Sequence, residues 1–260
     1  MSKTALITGA SSGIGYELAK RFARDKTNLV LVARDEPRLN QIANEIQSAH
    51  HVSVKVIRAD LSRAAAPAEV YAETLRAGIA TDYLINNAGF GLGGPFLETD
   101  LQGELDMLQV NIVSLVHLTK LFLRDMRGRH SGGVLNVAST AAFQPGPLMA
   151  IYYASKAFVL SFTEALAEEL HATGITATAL CPGPTATDFQ RRAKIENVRL
   201  MKSKPLGMMS AAKVAETGYL GFLAGKAVVI PGLMNKVGVQ SLRISPRAMV
   251  RKVTRKLQEG

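Results

Sequence analysis

The chain has 260 residues, 47% of them hydrophobic and 20% charged, with a single cysteine and a formal charge of +10. That length suits one large α/β domain with a sizeable core, and Cys181 alone excludes an internal disulfide framework and suits a reducing compartment. The charge gathers in two stretches, six Lys or Arg against Glu196 in 191–204 and seven against Glu259 in 236–260, which leaves the remainder near neutral and excludes a nucleic-acid-binding surface spread over the whole molecule.

No apolar stretch of signal-peptide length follows Lys3, and no run approaches the roughly 18 apolar residues of a membrane span, so a cytoplasmic protein is expected. Short β-rich runs alternate with longer helical ones. Strands are expected at 3–8, 28–33, 52–58, 82–86, 133–138, 175–181 and 227–230. Helices are expected at 13–25, 35–49, 64–77, roughly 102–127, 152–173 and 210–224. Near-continuous apolar strands separated by helices predict a doubly wound parallel sheet of about seven strands with helices on both faces. No linker divides the chain, and in such sheets ligands bind beyond the carboxyl ends of the strands.

After the first strand comes Thr8-Gly9-Ala10-Ser11-Ser12-Gly13-Ile14-Gly15. The glycines allow a tight turn and close approach of a ligand, and they open a helix whose N–H groups suit a pyrophosphate. Gly9, Ser11, Ser12, Gly13, Ile14 and Gly15 are therefore candidate cofactor residues in a Rossmann-like fold. The spacing is G-x-x-x-G-x-G, not the more familiar G-x-G-x-x-G. An acid at the end of the second strand would bind the ribose of NAD. Here that strand ends Val32-Ala33-Arg34-Asp35, with Ala33 at the expected place of the acid. Arg34 suits a 2′-phosphate, so NADP(H) is favoured over NAD(H). Asp35 is either the acid displaced by two positions or the cap of the next helix. Asp60 and Leu61, after the third strand, either meet the adenine edge or make a capping turn.

Tyr152 and Lys156 are four apart, on one face of the predicted helix, and Ser139 lies thirteen residues before Tyr152. A lysine ammonium beside a phenol favours the phenolate and lowers its pKa. Such a pair can pass a proton to or from a carbonyl or alcohol oxygen that a serine hydroxyl holds. The neighbour Tyr153 has Ala157 at i+4 and is expected to pack; Ser155 and Ser131 are expected to be structural.

With Asn86-Asn87-Ala88-Gly89, Asn111 and Pro182-Gly183 added in order, residues 3–232 resemble the short-chain dehydrogenase/reductase superfamily. The resemblance implies Tyr152 as general acid in reduction and base in oxidation. It implies Lys156 on the nicotinamide ribose, lowering the Tyr152 pKa, and Ser139 on the substrate oxygen. Asn111 would bend its helix and hold a water of a proton relay, or simply be a polar residue satisfied mid-helix. Asn87, Ala88 and Gly89 would line the adenosine side. Pro182, Gly183, Thr185 and Thr187 would close over the nicotinamide end. A homodimer or homotetramer is the family habit.

The substrate pocket is expected from 90–96, 141–149 and 189–209. Leu92, Phe96, Phe143, Leu148, Met149, Phe189, Leu200 and Met201 would make it apolar, with Gln144 facing it. A mobile lid is expected over 187–209. Its Arg191, Arg192, Lys194, Arg199, Lys202 and Lys204 either attract a CoA-like thioester or form a solvated helix face. Residues 1–232 read as the dinucleotide-binding catalytic domain and 233–260 as its basic helical extension. Ser245 and Pro246 would start a helix with Met249, Val253 and Leu257 on one stripe, terminal and solvated, set on a partner, or lying on an anionic membrane surface over 245–258. The five histidines form no spaced metal motif, and no metal is expected.

These features point to an NADP-dependent oxidoreductase that interconverts a ketone or aldehyde and an alcohol, on a lipid- or steroid-like substrate. A 3-oxoacyl thioester reductase is the alternative within enzymes. A non-catalytic cofactor-binding regulator on the same fold is the alternative outside them.

Overall fold

A computed structural model describes residues 2–193, 195–196, 198–199 and 208–259. Lys194, Leu200, Met201, Lys202 and Lys204 lie outside the described residues.

Seven parallel strands form the sheet in the order β3-β2-β1-β4-β5-β6-β9. They are β1 (Thr4–Thr8), β2 (Asn28–Ala33), β3 (Val54–Arg58), β4 (Tyr83–Asn86), β5 (Gly132–Val137), β6 (Ile175–Leu180) and β9 (Val228–Val229). The central strands are apolar because helices cover both faces: Leu6, Ile7, Leu84, Ile85, Val134 and Leu135 are fully buried. On one face α1 (Gly13–Arg24) and α2 (Glu36–His50) pack with a later helix, and Phe22 meets Tyr219 edge-on at 4.8 Å. On the other, α3 (Ala66–Arg76) and α5 (Leu115–Arg129) bring Tyr71 edge-on to Phe122 at 5.2 Å.

The strand order reverses between β1 and β4, where open α/β sheets bind ligands. Asn87 N and Ala88 N, just past β4, both donate to Thr8 Oγ1 at 3.0 Å. Asn87 Nδ2 donates to Thr8 O and Gly9 O at 2.9 and 3.1 Å. The two strand-end motifs are thus tied into one frame at the reversal.

Three expectations need correction. The helix expected to run through 102–127 is α4 (Leu101–Leu108), a π-helical turn (Gln109–Ser114) and α5. The wider turn sits at Asn111, whose side chain reaches the backbone of Phe90 and the hydroxyl of Ser155. Second, Leu101–Arg129 does have the length and apolar character of a membrane-crossing helix. Met107, Leu115, Leu118, Phe122 and Met126 are buried in the domain, so part of its apolar side is a core face, while Leu101, Leu105 and Val113 stay exposed.

The third correction concerns the carboxyl terminus. After α6 (Ala150–Glu169), the short pair β7 (Thr185–Ala186) and β8 (Met209–Ser210), α7 (Phe189–Arg192) and α8 (Ala211–Leu223), there are two terminal helices, not one. They are α9 (Leu233–Ile244), which the sequence reading missed, and α10 (Arg247–Gln258). Ser245 does not cap α10; its hydroxyl donates to Ser241 O at the end of α9. Met249 and Val253 are 58% and 48% exposed, while Val250, Thr254 and Gln258 are buried. The buried stripe is one position away from the apolar one because two of its members are polar residues with partners inside.

Candidate active site

A cleft of about 430 Å³ opens beyond the strand ends, lined from the glycine loop to α10. Gly9 and Gly13 have φ of +64° and +57°, which a side chain would strain. A Cβ at Gly15 would lie 2.4 Å from both Asn87 Nδ2 and Gly9 O, so only glycine lets the helix start against the β4 end. The N-cap Ser12 makes no side-chain hydrogen bond to the first turn of α1. The amide groups at that helix start are left to an anion at the positive end of the helix dipole. These residues fit a dinucleotide pyrophosphate.

Ser11, Ser12, Ile14, Asn87, Ala88, Gly89, Pro182, Gly183, Thr185 and Thr187 line the same cleft, as do Gly9 and Gly13. Thr187 reaches across to the loop: a Cβ at Gly13 would meet its Cγ2 at 3.1 Å. Gly15 lies behind the wall. Arg34 is exposed past the end of β2. Asp35 Oδ1 accepts from Arg38 N, so its carboxylate caps α2. Asp60 Oδ1 accepts from Ser62 N and Oγ at 3.1 and 2.9 Å. Burial works to raise the Asp60 pKa, but those hydrogen bonds and the positive Arg34 and Arg63 hold it below the usual carboxylate range. The side chain of Leu61 belongs to the core cluster under α3 and α5, not to the cleft.

Tyr152 and Lys156 stand one turn apart on α6 and both line the cleft, with Ser139 opposite at the end of β5. Lys156 Nζ donates to Val137 O at 2.8 Å and lies 5.8 Å from the Tyr152 ring centroid. Burial pushes the Lys156 ammonium down to about 8. Burial also pushes the Tyr152 phenol up, opposed by its hydrogen bond with Ser139. This corrects the expectation that Lys156 depresses the Tyr152 pKa. The ammonium is turned to the β5 carbonyl and is itself short of solvation, so desolvation of the phenol dominates. Cys181, under the site, is pushed up to about 12 by burial and stays a thiol.

Asn111 is 1% exposed. Its Oδ1 accepts from Phe90 N at 3.1 Å, and its Nδ2 donates to Phe90 O and Ser155 Oγ at 3.0 and 3.1 Å. Its oxygen and Lys156 Nζ converge on Gly89, whose added Cβ would meet them at 3.0 and 3.4 Å.

Of the expected pocket residues, Gln144, Met149 and Phe189 line the cleft, and so does Phe90. Phe96 is 58% exposed. Leu92 lies against Gly103 of α4, Phe143 packs against the β6 side, and Leu148 is absent from the wall. Ala193, Ile195 and Val198, within the segment expected to be a lid, are buried with Met149 and Tyr153. Sequence reasoning missed Met234, Asn235, Leu242 and Gln258, which α9 and α10 bring to the cleft. Only Leu257 carried a sequence signal for that wall, as an apolar member of the last stripe. Among the described residues no group of three His, Cys, Asp or Glu could hold a metal ion.

The family model for short chain dehydrogenases matches residues 3–197. The chain belongs to the short-chain dehydrogenase/reductase superfamily. This dehydrogenase is 33% identical to mouse 17-beta-hydroxysteroid dehydrogenase type 3, over 91% of this chain and 77% of that one. It is 35% identical to the very-long-chain 3-oxoacyl-CoA reductase of Anas platyrhynchos, over 73% of this chain and 62% of the other. A short-chain dehydrogenase from Sphingobium yanoikuyae in complex with NADPH superposes with TM-score 0.84 at 34% identity, covering 95% and 94% of the two chains. A Burkholderia phymatum relative in complex with NAD gives 0.82 at 25%, covering 100% and 97%. The short-chain dehydrogenase is therefore an oxidoreductase of the nicotinamide-cofactor class acting on a small molecule.

Proposed function

We propose that this enzyme reduces an apolar ketone to an alcohol with NADPH, Tyr152 giving the proton. One observation carries the reading. Ser139, Tyr152 and Lys156 meet in a single cleft between a glycine loop built for a pyrophosphate and walls of Phe90, Met149 and Phe189. Gly9, Ser11, Ser12, Gly13 and Ile14 would hold the pyrophosphate, Asn87 to Gly89 the adenosine side, and Lys156 the nicotinamide ribose. A dihydronicotinamide bound there would supply the hydride that the carbonyl carbon receives. Ser139 holds the carbonyl oxygen, and Tyr152 passes its hydroxyl proton to that oxygen as the C–O π bond becomes a lone pair. Burial keeps the Tyr152 phenol protonated at neutral pH, so it has a proton to give. Lys156 keeps its place on the nicotinamide ribose, and Asn111 holds the far end of the proton path beside Gly89. Turnover of NADPH across a panel of ketones and aldehydes tests this. Tight NADPH binding with no turnover on any of them would leave a non-catalytic cofactor-binding protein.

The preference for NADPH rests on Arg34 and on Asp35 being committed to its helix. The Kd for NADPH should be lower than for NADH, and Arg34→Ala should narrow the gap by roughly tenfold or more, the worth of one charge-assisted hydrogen bond. Binding titrated through the fluorescence of the reduced cofactor reads both ratios. An NADH preference in the unaltered protein would overturn the assignment.

A 3-oxoacyl thioester is the second reading. Arg192 lines the cleft and Arg191 stands on the same turn, paired with Asp188 at 3.2 Å, giving cations for a carrier phosphate. The relative kcat/KM for a 3-oxoacyl-CoA and for a simple ketone of equal chain length separates the two.

A further inference from the structure

The last turn of α10 reaches into the cleft. Gln258 is 5% exposed and on the cleft wall, and its Nε2 donates to Tyr153 Oη at 2.5 Å. Its Oε1 is buried and has no hydrogen-bond partner among the described residues. Turning the amide over would let Tyr153 donate to Oε1 and leave Nε2 unpaired instead. In either orientation one polar amide atom is left over, where buried polar groups are normally satisfied. One turn earlier Thr254 Oγ1 donates to Gln144 Oε1 at 3.3 Å, and Gln144 also lines the cleft. Around this polar corner the wall is Met149, Ile195, Val239 and Leu257.

The corner is separated from the reacting end by one aromatic ring. Tyr153 sits edge-on to Tyr152 with centroids 6.0 Å apart, and Gln258 holds the hydroxyl of Tyr153. We propose that Gln258 is a specificity-determining residue that binds a hydroxyl carried by the substrate at the end remote from its reacting carbonyl. This rests on the carbonyl reduction proposed above. A hydroxyl both donates and accepts, so it completes the amide whichever way the amide is turned. Among the described residues the side chains hydrogen-bonded at this corner are Gln258, Gln144, Thr254 and Tyr153, all neutral, so a carboxylate or ammonium finds no counter-charge in that set. A ketone with a purely apolar remote end would leave the amide atom unpaired, which is how a site built to bind a hydroxyl rejects the analogue lacking it.

The test uses two ketones of the same skeleton, one with a remote hydroxyl and one with hydrogen in its place. The unaltered enzyme should prefer the hydroxy ketone by about 30-fold in kcat/KM. Gln258→Leu should lose that factor on the hydroxy ketone and change less than about threefold on the other. A Gln258 that merely pins α10 would lower both substrates alike, and that outcome overturns the proposal. The preference of the unaltered enzyme stands as a measurement even if the variant folds poorly, and its absence, with both ketones turned over, overturns the subsite alone. No turnover of either ketone despite NADPH binding overturns the carbonyl-reduction reading and the subsite with it.

Discussion

Tyr152→Phe is expected to cut kcat for ketone reduction by about 10³-fold while leaving the cofactor Kd and the thermal midpoint nearly unchanged. The phenol sits in the cleft with Ser139 as its hydrogen-bond partner, so the substitution removes the proposed proton donor and leaves the serine in place. The ring itself is structural. It packs on Phe189 at 5.2 Å between centroids and edge-on to Tyr153, contacts that phenylalanine keeps. Deleting the hydroxyl also removes a polar group that burial disfavours, which offsets the lost hydrogen bond. The loss should therefore appear in kcat and kcat/KM equally, the signature of an interaction made in the transition state. Tyr153→Phe is the internal comparison, because Tyr153 bonds Gln258 and lacks a charged neighbour at i+4. A kcat loss under tenfold in Tyr152→Phe would mean that a water or another side chain donates the proton.

Much of this site was legible before the fold because its residues are tied to the backbone events that place them. A glycine needing positive φ, an asparagine after a strand and a tyrosine one helical turn from a lysine each leave a local mark. Thr8 shows the limit. It looks like the last residue of a strand, yet its hydroxyl accepts from Asn87 N and Ala88 N, seventy-nine and eighty residues on, and so sets the register of the two binding motifs. No local pattern announces that role. The first of the two terminal helices was hidden for a related reason. Residues 233–244 leave Leu233, Met234, Val237 and Ile244 exposed and bury Asn235, so the hydrophobic pattern does not follow the buried face. Gln258 was overlooked because a glutamine two residues from the end reads as solvated, and only the chain crossing back to Tyr153 gives it a partner. The upward shift of Tyr152 was illegible too: a four-residue spacing fixes a common face, but not which way an ammonium turns or how much water is excluded.

Lys156→Met should raise the thermal midpoint while costing about 10²-fold or more in kcat/KM. Lys156 is 5% exposed and burial brings its pKa from an ordinary 10.5 to about 8. At about 1.36 kcal/mol per pKa unit, keeping that amine protonated at pH 7 costs the folded state on the order of 3 kcal/mol. Its hydrogen bond to Val137 O, at 2.8 Å, returns about 1–2 kcal/mol. Methionine fills similar volume without the charge, so the variant should gain about 1–2 kcal/mol, roughly 3–6 °C in a chain of this size. The pH dependence separates this cause from better packing. Between about pH 8 and 10.5 the unfolded chain holds a proton on Lys156 that the folded chain has released, so the unaltered protein gains stability as pH rises. The advantage of the methionine variant should thus shrink from pH 7 to pH 10. A midpoint that falls at pH 7, or an advantage independent of pH, would show that the lysine is not strained by its burial. The activity loss follows from the same placement. A charge held short of water costs stability in the free protein, and that charge is what the nicotinamide ribose would meet during turnover. A destabilising group kept at such a place is the trade of stability for activity expected of a functional site.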